Sequence, residues 1–139
     1  MSNYFGDIIK LYCDLTKCKS YLELGVSRGD TLWLIGSTIS DVTGVDIIDG
    51  RSCKVGVFYE MPTDTFFKDN TKLFDVIFID ASHLIENVIK DFDNSLKFLN
   101  IGGTIFLHDT DPEFIRFAKR DELFCQDAYK IIEYIYGTY

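Results

Sequence analysis

Residues 74–80 read Phe-Asp-Val-Ile-Phe-Ile-Asp, and residues 103–109 read Gly-Thr-Ile-Phe-Leu-His-Asp. Within them, 76–79 and 104–107 show no polar alternation, which is typical of strands buried on both faces of a parallel sheet. Apolar residues between the two stretches recur at helical spacing: Ile85, Val88, Ile89, Phe92, Leu96 and Leu99. The pattern predicts two parallel strands joined by a helical crossover.

Each of these strands ends in an acidic residue, Asp80 in the first and Asp109 in the second. Ligands of open parallel sheets bind beyond the carboxyl ends of the strands. We therefore expect both carboxylates to face one crevice, together with His83 and His108. Simpler interpretations stay open. Asp80 could be an ordinary strand end, and Asp109 a turn former. His83 could be an exposed residue in the first turn of the helix.

The composition indicates one globular domain, which we expect to span residues 1–139. Hydrophobic residues make up 47% of the chain, which is ample material for a core. The net charge is -8, and the 14 basic residues form no patch for nucleic acid or for an anionic membrane. The start of the chain lacks the basic and apolar segments of a secretory signal. We therefore expect a cytoplasmic protein with neither nucleic-acid nor membrane partners.

Four cysteines stand at positions 13, 18, 53 and 125, without a Cys-x-x-Cys pair. No tetrahedral zinc set presents itself. Cys13 falls on the apolar face of the first helix, so we expect a buried thiol. This usage is consistent with a reducing compartment.

The rest of the chain continues the alternation of helices and strands. Ser82 is a candidate to cap the long helix that follows it, and Asp30 could either cap the short helix at 30–37 or place its charge at the positive end of that helix. The further elements are expected at these positions: a first helix from Phe5 to Cys13, strands at 21–24, 41–47 and 54–60, short helices at 30–37 and after Pro62, and a last helix at 125–135. The predicted fold is an α/β, Rossmann-like three-layer sandwich with a mostly parallel sheet of about five strands.

A glycine turn follows the first strand, where residues 23–29 read Glu-Leu-Gly-Val-Ser-Arg-Gly. Gly25 permits a tight turn and leaves room for a ligand against the backbone. Gly29 permits close approach at the start of a helix, where free N–H groups favour a carboxylate or phosphate. The G-x-G-x-x-G fingerprint is absent, which disfavours a dinucleotide. Asp46 ends the second strand, where a carboxylate can accept both hydroxyls of a ribose.

Four blocks in this order resemble the successive motifs of class I S-adenosylmethionine-dependent methyltransferases. They are residues 23–29, 43–46 (Thr-Gly-Val-Asp), 74–83 and 102–111. The likeness covers about residues 19–112. The nearest subgroup contains the metal-dependent O-methyltransferases of macrolide sugars and related antibiotic-tailoring enzymes. The resemblance implies methyl transfer from S-adenosylmethionine to a hydroxyl of a sugar-like or catechol-like small molecule.

The resemblance also assigns residues to the cofactor. The methionine part would be held by three residues of the turn: Glu23, Gly25 and Gly29. The nucleoside would contact residues at the ends of the next strands: Asp46 at the ribose, Ile47 beside the adenine, Thr63 and Asp64 near the adenine ring, and Asp80 at its border.

The same resemblance implies that Asp80, His108 and Asp109 coordinate Mg²⁺ or another divalent cation, and that His83 is the general base. His108 stands where the antibiotic-sugar enzymes carry a second acidic ligand. Imidazole suits transition metals better than Mg²⁺, which prefers oxygen. The identity or existence of the metal therefore stays open, and His108 could instead position the substrate.

Members of this class usually complete the sheet with an antiparallel pair after the fifth strand, in order 3-2-1-4-5-7-6. Here the chain ends where that pair should begin, so we expect order 3-2-1-4-5 with an open edge on the fifth strand. A truncated chain, a natural minimal fold, and a homodimer that covers the edge are all consistent with this. The alternative function is a non-catalytic fold that binds S-adenosylmethionine or a partner protein.

Overall fold

The computed structural model describes residues 4–111 and 126–139. The helices are α1 (Tyr4–Thr16), α2 (Asp30–Gly36), α3 (Thr63–Asp69), α4 (Ile85–Lys97) and α5 (Ile131–Thr138). The strands are β1 (Ser20–Leu24), β2 (Asp41–Asp46), β3 (Val57–Glu60), β4 (Phe74–Ile79) and β5 (Leu99–Leu107). A short 3₁₀ helix, Ala128–Lys130, leads into α5.

The strands form a parallel sheet in the order β3-β2-β1-β4-β5. Every position of β1 is buried, because β1 has strands on both sides and helices over both faces. The predicted fold class and strand order are confirmed. Since all five strands run the same way, their carboxyl ends meet along one edge of the sheet.

Helices cover the sheet on both faces and complete a three-layer sandwich. Neighbouring strand residues such as Tyr21 and Leu22 point to opposite faces, so each face receives its own apolar layer. One layer joins the sheet to α1 and α2 through residues such as Ile9 and Leu32. The other joins it to α3, α4 and α5 through residues such as Phe92.

Two of the predicted helix caps are wrong. Gly29, with φ of 80°, is the N-cap of α2, and Asp30 is the first helical residue without a capping side-chain bond. Asp30 still places its negative charge in the first turn, where the helix dipole favours it. α4 begins at Ile85, and the hydroxyl of Ser82 accepts a hydrogen bond from the N–H of Leu84, which precedes the helix. His83 therefore lies before α4 and not in its first turn.

Two strand boundaries also differ from the predictions. β3 begins at Val57 because Gly56, with φ of 65°, breaks the extended backbone just before it. β5 begins at Leu99, four residues before the predicted stretch 103–109, so the glycine pair 102–103 lies within the strand. Phe74 pairs with Leu99, but the next paired position of β5 is Thr104. The start of β5 therefore bulges out of the ladder.

β5 is not buried on both faces as its sequence predicts. Its residues are half-buried or exposed, because it forms an edge of the sheet that the described residues build. Within residues 4–111 and 126–139 no strands pair antiparallel. The last predicted helix is present, although its predicted start, Cys125, lies outside the described residues. Cys13 is buried, as expected.

In the part of the chain that the structure describes, no helix combines the length and the apolar character needed to cross a bilayer.

Candidate functional site

Four polar side chains gather at the ends of β4 and β5. β4 and β5 pair up to Ile79 and Leu107, and the N–H of His108 donates to the carbonyl of Ile79 at 3.1 Å. Asp109 then adopts a left-handed backbone with φ of 55°, a conformation that Asp tolerates better than most residues. The ladder therefore keeps the two strand ends level. The side chains of His108 and Asp109, which follow β5, therefore lie next to Asp80, which follows β4.

The distances within this cluster are short. His108 Nδ1 lies 3.0 Å from Asp80 Oδ1 and 3.1 Å from Asp109 Oδ2. His83 Nε2 lies 3.0 Å from Asp109 Oδ2 and 3.8 Å from Asp80 Oδ1. One potential ligand atom from each residue falls within 4.8 Å of all the others. The structure thus brings together all four residues that the sequence placed in one crevice.

The cluster concentrates negative charge around the half-buried ring of His108. Its Nδ1 is within reach of both carboxylates, yet neither is aligned to accept a hydrogen bond from it. Burial, the largest single influence, lowers the pKa of His108, but interactions with Asp109 and Asp80 together outweigh it and raise the pKa to about 10. The geometry therefore calls for a positive charge between the two carboxylates, on the imidazole or on a bound cation.

An aromatic wall holds the ring of His108. The ring of Phe5, from α1, packs edge-on at 4.1 Å between centroids, and Phe78 contacts the same ring at 6.1 Å. From the sequence, Phe5 is placed only at the start of the first helix. No local signal links the two residues, because the contact depends on where α1 crosses the sheet.

Asp46 is engaged by the glycine turn itself. Its Oδ2 accepts hydrogen bonds from the N–H groups of Val26 and Ser27, both at 2.8 Å, and its Oδ1 accepts one from Ile47 at 2.7 Å. The carboxylate is therefore not an idle, solvated strand end. It ties the carboxyl end of β2 to the turn after β1.

The two glycines of the turn have different neighbours from those expected. Gly25 has φ of 85°, and a Cβ there would lie 2.3 Å from the carbonyl oxygen of Asp80 and 2.5 Å from Cα of Ala81. The expected ligand space is thus occupied by the chain's own backbone. Gly29 also has a positive φ, and a Cβ there would lie 3.0 Å from the side chain of Arg51. Close packing of the loops explains both glycines.

A cavity of about 350 Å³ opens beside Asp46. Four of the residues predicted to contact the nucleoside line it together: Asp46, Ile47, Thr63 and Asp64. Ala81 and Ser82 line it as well, and they connect Asp80 to His83 along the chain. The predicted nucleoside region therefore adjoins the cluster of carboxylates and imidazoles.

Sequence reasoning missed Asp91, which lines the same cavity from α4. The side chain is buried, and its Oδ1 accepts a hydrogen bond from the hydroxyl of Thr63 at 2.6 Å. Burial raises the pKa of Asp91 to about 6. A signal was present, because Asp91 lies between Val88 and Phe92 on the buried face of α4, where a carboxylate needs a partner.

Glu23 is not among the residues that line the cavity. Its carboxylate is almost fully buried and accepts a hydrogen bond from the hydroxyl of Tyr21 at 2.8 Å. Burial, reinforced by the nearby charges of Asp80 and Asp46, raises the pKa of Glu23 to about 8, although the bond from Tyr21 opposes the shift. Its contact with the methionine part of a cofactor stays a prediction.

The comparison with known families agrees with this geometry. The sequence model described as a methyltransferase domain matches residues 22–110, more than half of the chain, and so includes the end of β1, the residues that line the cavity, and Asp109. The chain belongs to the methyltransferase domain family. No curated protein matches it.

Solved structures show the same fold at low sequence identity. An O-methyltransferase from Bacillus cereus, in complex with S-adenosylhomocysteine, is 18% identical with a TM-score of 0.75 over 99% of this chain and 70% of that one. The O-methyltransferase TomG from Streptomyces achromogenes, in complex with S-adenosylmethionine, is 14% identical with a TM-score of 0.71. The match covers 100% of this chain and 70% of TomG. A protein from Klebsiella pneumoniae, provisionally named an O-methyltransferase, is 17% identical with a TM-score of 0.78. The match covers 100% of this chain and 70% of the Klebsiella protein. The architecture is therefore that of a Rossmann-like methyltransferase.

Proposed function

We propose that this domain binds S-adenosylmethionine and transfers its methyl group to a hydroxyl oxygen of a small molecule, with the help of a divalent cation. The observation that carries the proposal is the position of the Asp80–His83–His108–Asp109 cluster beside the cavity lined by Asp46. Two structures that share the fold hold S-adenosylmethionine or its demethylated product, and both are named O-methyltransferases.

The cavity provides suitable contacts for a nucleoside. A carboxylate has about four acceptor positions, and Asp46 uses three of them on backbone N–H groups. One ribose hydroxyl can donate a hydrogen bond to the remaining acceptor position. A second ribose hydroxyl can donate to Asp46 only if the N–H of Val26 or Ser27 gives up its hydrogen bond to the carboxylate. Ile47 is exposed at the mouth of the cavity and offers an apolar surface for adenine.

The cluster fits a divalent cation. Asp80, Asp109 and His108 supply two carboxylates and a buried ring nitrogen that has no aligned hydrogen-bond acceptor among the described residues. Because one of these donors is an imidazole, the set favours a transition metal such as Mn²⁺ or Zn²⁺ over Mg²⁺. When bound, the cation would lower the pKa of the acceptor hydroxyl and fix its position.

The remaining chemistry belongs to the chain's own residues. S-adenosylmethionine supplies a methyl group on a sulfonium, so the protein mainly aligns the acceptor oxygen with it, at about 3–3.5 Å. His83 would take the hydroxyl proton at its other ring nitrogen, Nδ1, because Nε2 lies 3.0 Å from Asp109 Oδ2, which would stabilise the imidazolium that forms. Such a base typically contributes about 10²–10⁴-fold.

The acceptor in this proposal is sugar-like or catechol-like, as the resemblance implies. Kinship with the macrolide-sugar enzymes is also part of the proposal. His108 distinguishes the chain from them, because those enzymes carry an acidic ligand at that place.

Cofactor binding can be tested by calorimetric titration with S-adenosylhomocysteine. Asp46→Asn removes a charged acceptor worth about 1.5–3 kcal/mol, so we expect affinity to fall about 10- to 100-fold. Asp41→Asn is the matched control, because Asp41 lies at the opposite end of β2 and pairs with Lys72 at the surface. Absence of binding by the wild-type chain, or equal losses in both variants, would contradict the proposed nucleoside site.

Metal assistance can be tested by thermal unfolding with Mn²⁺, Zn²⁺ or Mg²⁺. At a hundred times the dissociation constant, a bound ion stabilises the folded chain by about 2.7 kcal/mol, which raises the melting temperature by about 10 °C. We expect Asp109→Asn to abolish the shift, and Asp111→Asn, two positions beyond the cluster, to leave it unchanged. His108→Asp should move the preference toward Mg²⁺. Cofactor binding without any metal response would favour the non-catalytic alternative.

A further inference from the structure

α1 has two apolar faces that point in opposite directions. Gly6, Ile9 and Cys13 form its buried face. The outward residues Tyr4, Ile8, Leu11 and Leu15 are 68%, 44%, 60% and 74% exposed, and we call them the outer stripe. At 3.6 residues per turn the outer stripe occupies an arc of about 60°, centred about 160° from the buried face.

This arrangement differs from an ordinary surface helix, whose outward face is polar. The charged residues of α1 lie along one flank, where Lys10 pairs with Asp14 at 2.6 Å. They leave the outward arc to large apolar side chains. Contiguous apolar patches of this size are often functional surfaces.

The spacing of the outer stripe suits a second copy of the same helix. The steps from Tyr4 to Ile8, Leu11 and Leu15 are four, three and four residues, which is the seam of a coiled coil. The seam is symmetric about its midpoint. Two copies of α1 in antiparallel orientation would therefore set Tyr4 against Leu15 and Ile8 against Leu11, as a two-fold interface requires.

The available area agrees with a dimer. The outer stripe, with Phe5 at its border, offers roughly 400–500 Å² of apolar surface per copy. A standard interface buries about 800 Å² per partner, of which roughly 56–65% is apolar. The patch supplies about that apolar share.

We propose that the outer stripe of α1 is the interface through which two copies of this chain form a dimer. This places the interface on the helix next to β5, and not on the exposed edge of β5 itself. It does not depend on the proposed methyl transfer. The ring of Phe5, which is on the same helix, packs against the ring of His108. The dimer would therefore stabilise the position of one aromatic residue that contacts the candidate site.

The test is sedimentation equilibrium of the whole chain over a wide range of concentrations. The wild-type protein should have twice the chain mass, and Leu11→Glu should have the mass of a single chain, because the substitution buries an unpaired charge at the seam. Ile132→Glu is the matched control, since Ile132 is a 41% exposed apolar residue on α5, across the sheet. It should stay dimeric.

Two outcomes would overturn the proposal. One is a wild-type chain that stays monomeric at every concentration, which would mean that another part of the chain covers the outer stripe. The other is a dimer that survives Leu11→Glu. Far-UV circular dichroism checks that each variant is folded. If Leu11→Glu fails to fold, the milder pair Ile8→Gln and Leu15→Gln must each weaken the dimer, and unchanged masses in both would refute it.

Discussion

Gly25→Ala should destabilise this protein more than any ordinary glycine substitution. The reason is the close backbone contact between the glycine turn and the residues that follow β4. A Cβ at Gly25 would lie 2.3 Å from the carbonyl oxygen of Asp80 and 2.5 Å from Cα of Ala81. Both are backbone atoms, so no side-chain rotation can relieve the contact.

The expected loss combines two effects. A non-glycine residue in the left-handed region costs about 1–2 kcal/mol, and overpacking adds about 1–3 kcal/mol when the surroundings must move. The reduced entropy of the unfolded chain returns about 0.4–1 kcal/mol. We expect a net loss of about 3 kcal/mol. That is a large part of the roughly 5–15 kcal/mol that stabilises a typical domain.

Gly102→Ala isolates the steric part of this loss. Gly102 has φ of 80°, close to the 85° of Gly25, but a Cβ there would meet no atom of residues 4–111 or 126–139 within 4 Å. Only the backbone strain should appear, at about 1 kcal/mol. Equilibrium urea unfolding of the wild-type chain and both variants measures the difference. Equal losses for the two variants would refute the argument that Gly25 is required for contact with Asp80.

Two further predictions concern buried carboxylates. The pKa of Glu23 is raised from 4.5 to about 8, so the folded chain keeps a proton that the unfolded chain releases. Stability should therefore fall as pH rises from about 4.5 to 8, by at most about 1.4 kcal/mol per pH unit. Glu23→Gln should flatten that slope in urea unfolding, and an unchanged slope would show that Glu23 is ionised in the fold. Thr63→Val removes the donor to Asp91 and should cost about 1–3 kcal/mol, whereas Thr63→Ser, which keeps the hydroxyl, should cost much less. Equal losses for the valine and serine variants would show that packing, and not the hydrogen bond, matters there.

The sequence alone was sufficient to predict the parallel sheet and the cluster of polar residues at the carboxyl ends of its strands. Unbroken apolar runs such as 76–79 predict buried parallel strands, because such strands meet apolar surroundings on both faces. Parallel strands end at a common edge, so the residues that follow them must come together. This is why Asp80 and Asp109 could be placed side by side before any coordinates were known.

The sequence predicted less well the burial of a strand that has a neighbouring strand on one side only, and the residues at which helices begin. The run 104–107 has the composition of a buried strand, yet β5 is half-exposed because its position in the sheet decides its burial. Composition reports how apolar a segment is, and not how many neighbours it finds. The caps assigned to Asp30 and Ser82 failed because the helix starts differ from those expected: α2 already begins at Asp30, with Gly29 as its N-cap, and α4 begins three residues after Ser82.

The tertiary structure alone decided which groups touch within the site. Asp46 binds the turn, Gly25 packs on the backbone of Asp80, and Phe5 packs on His108. These contacts join segments far apart in the chain, so periodicity and spacing carry no information about them. Local sequence determines which residues stand at the strand ends, and the packing of helices on the sheet determines what those residues contact.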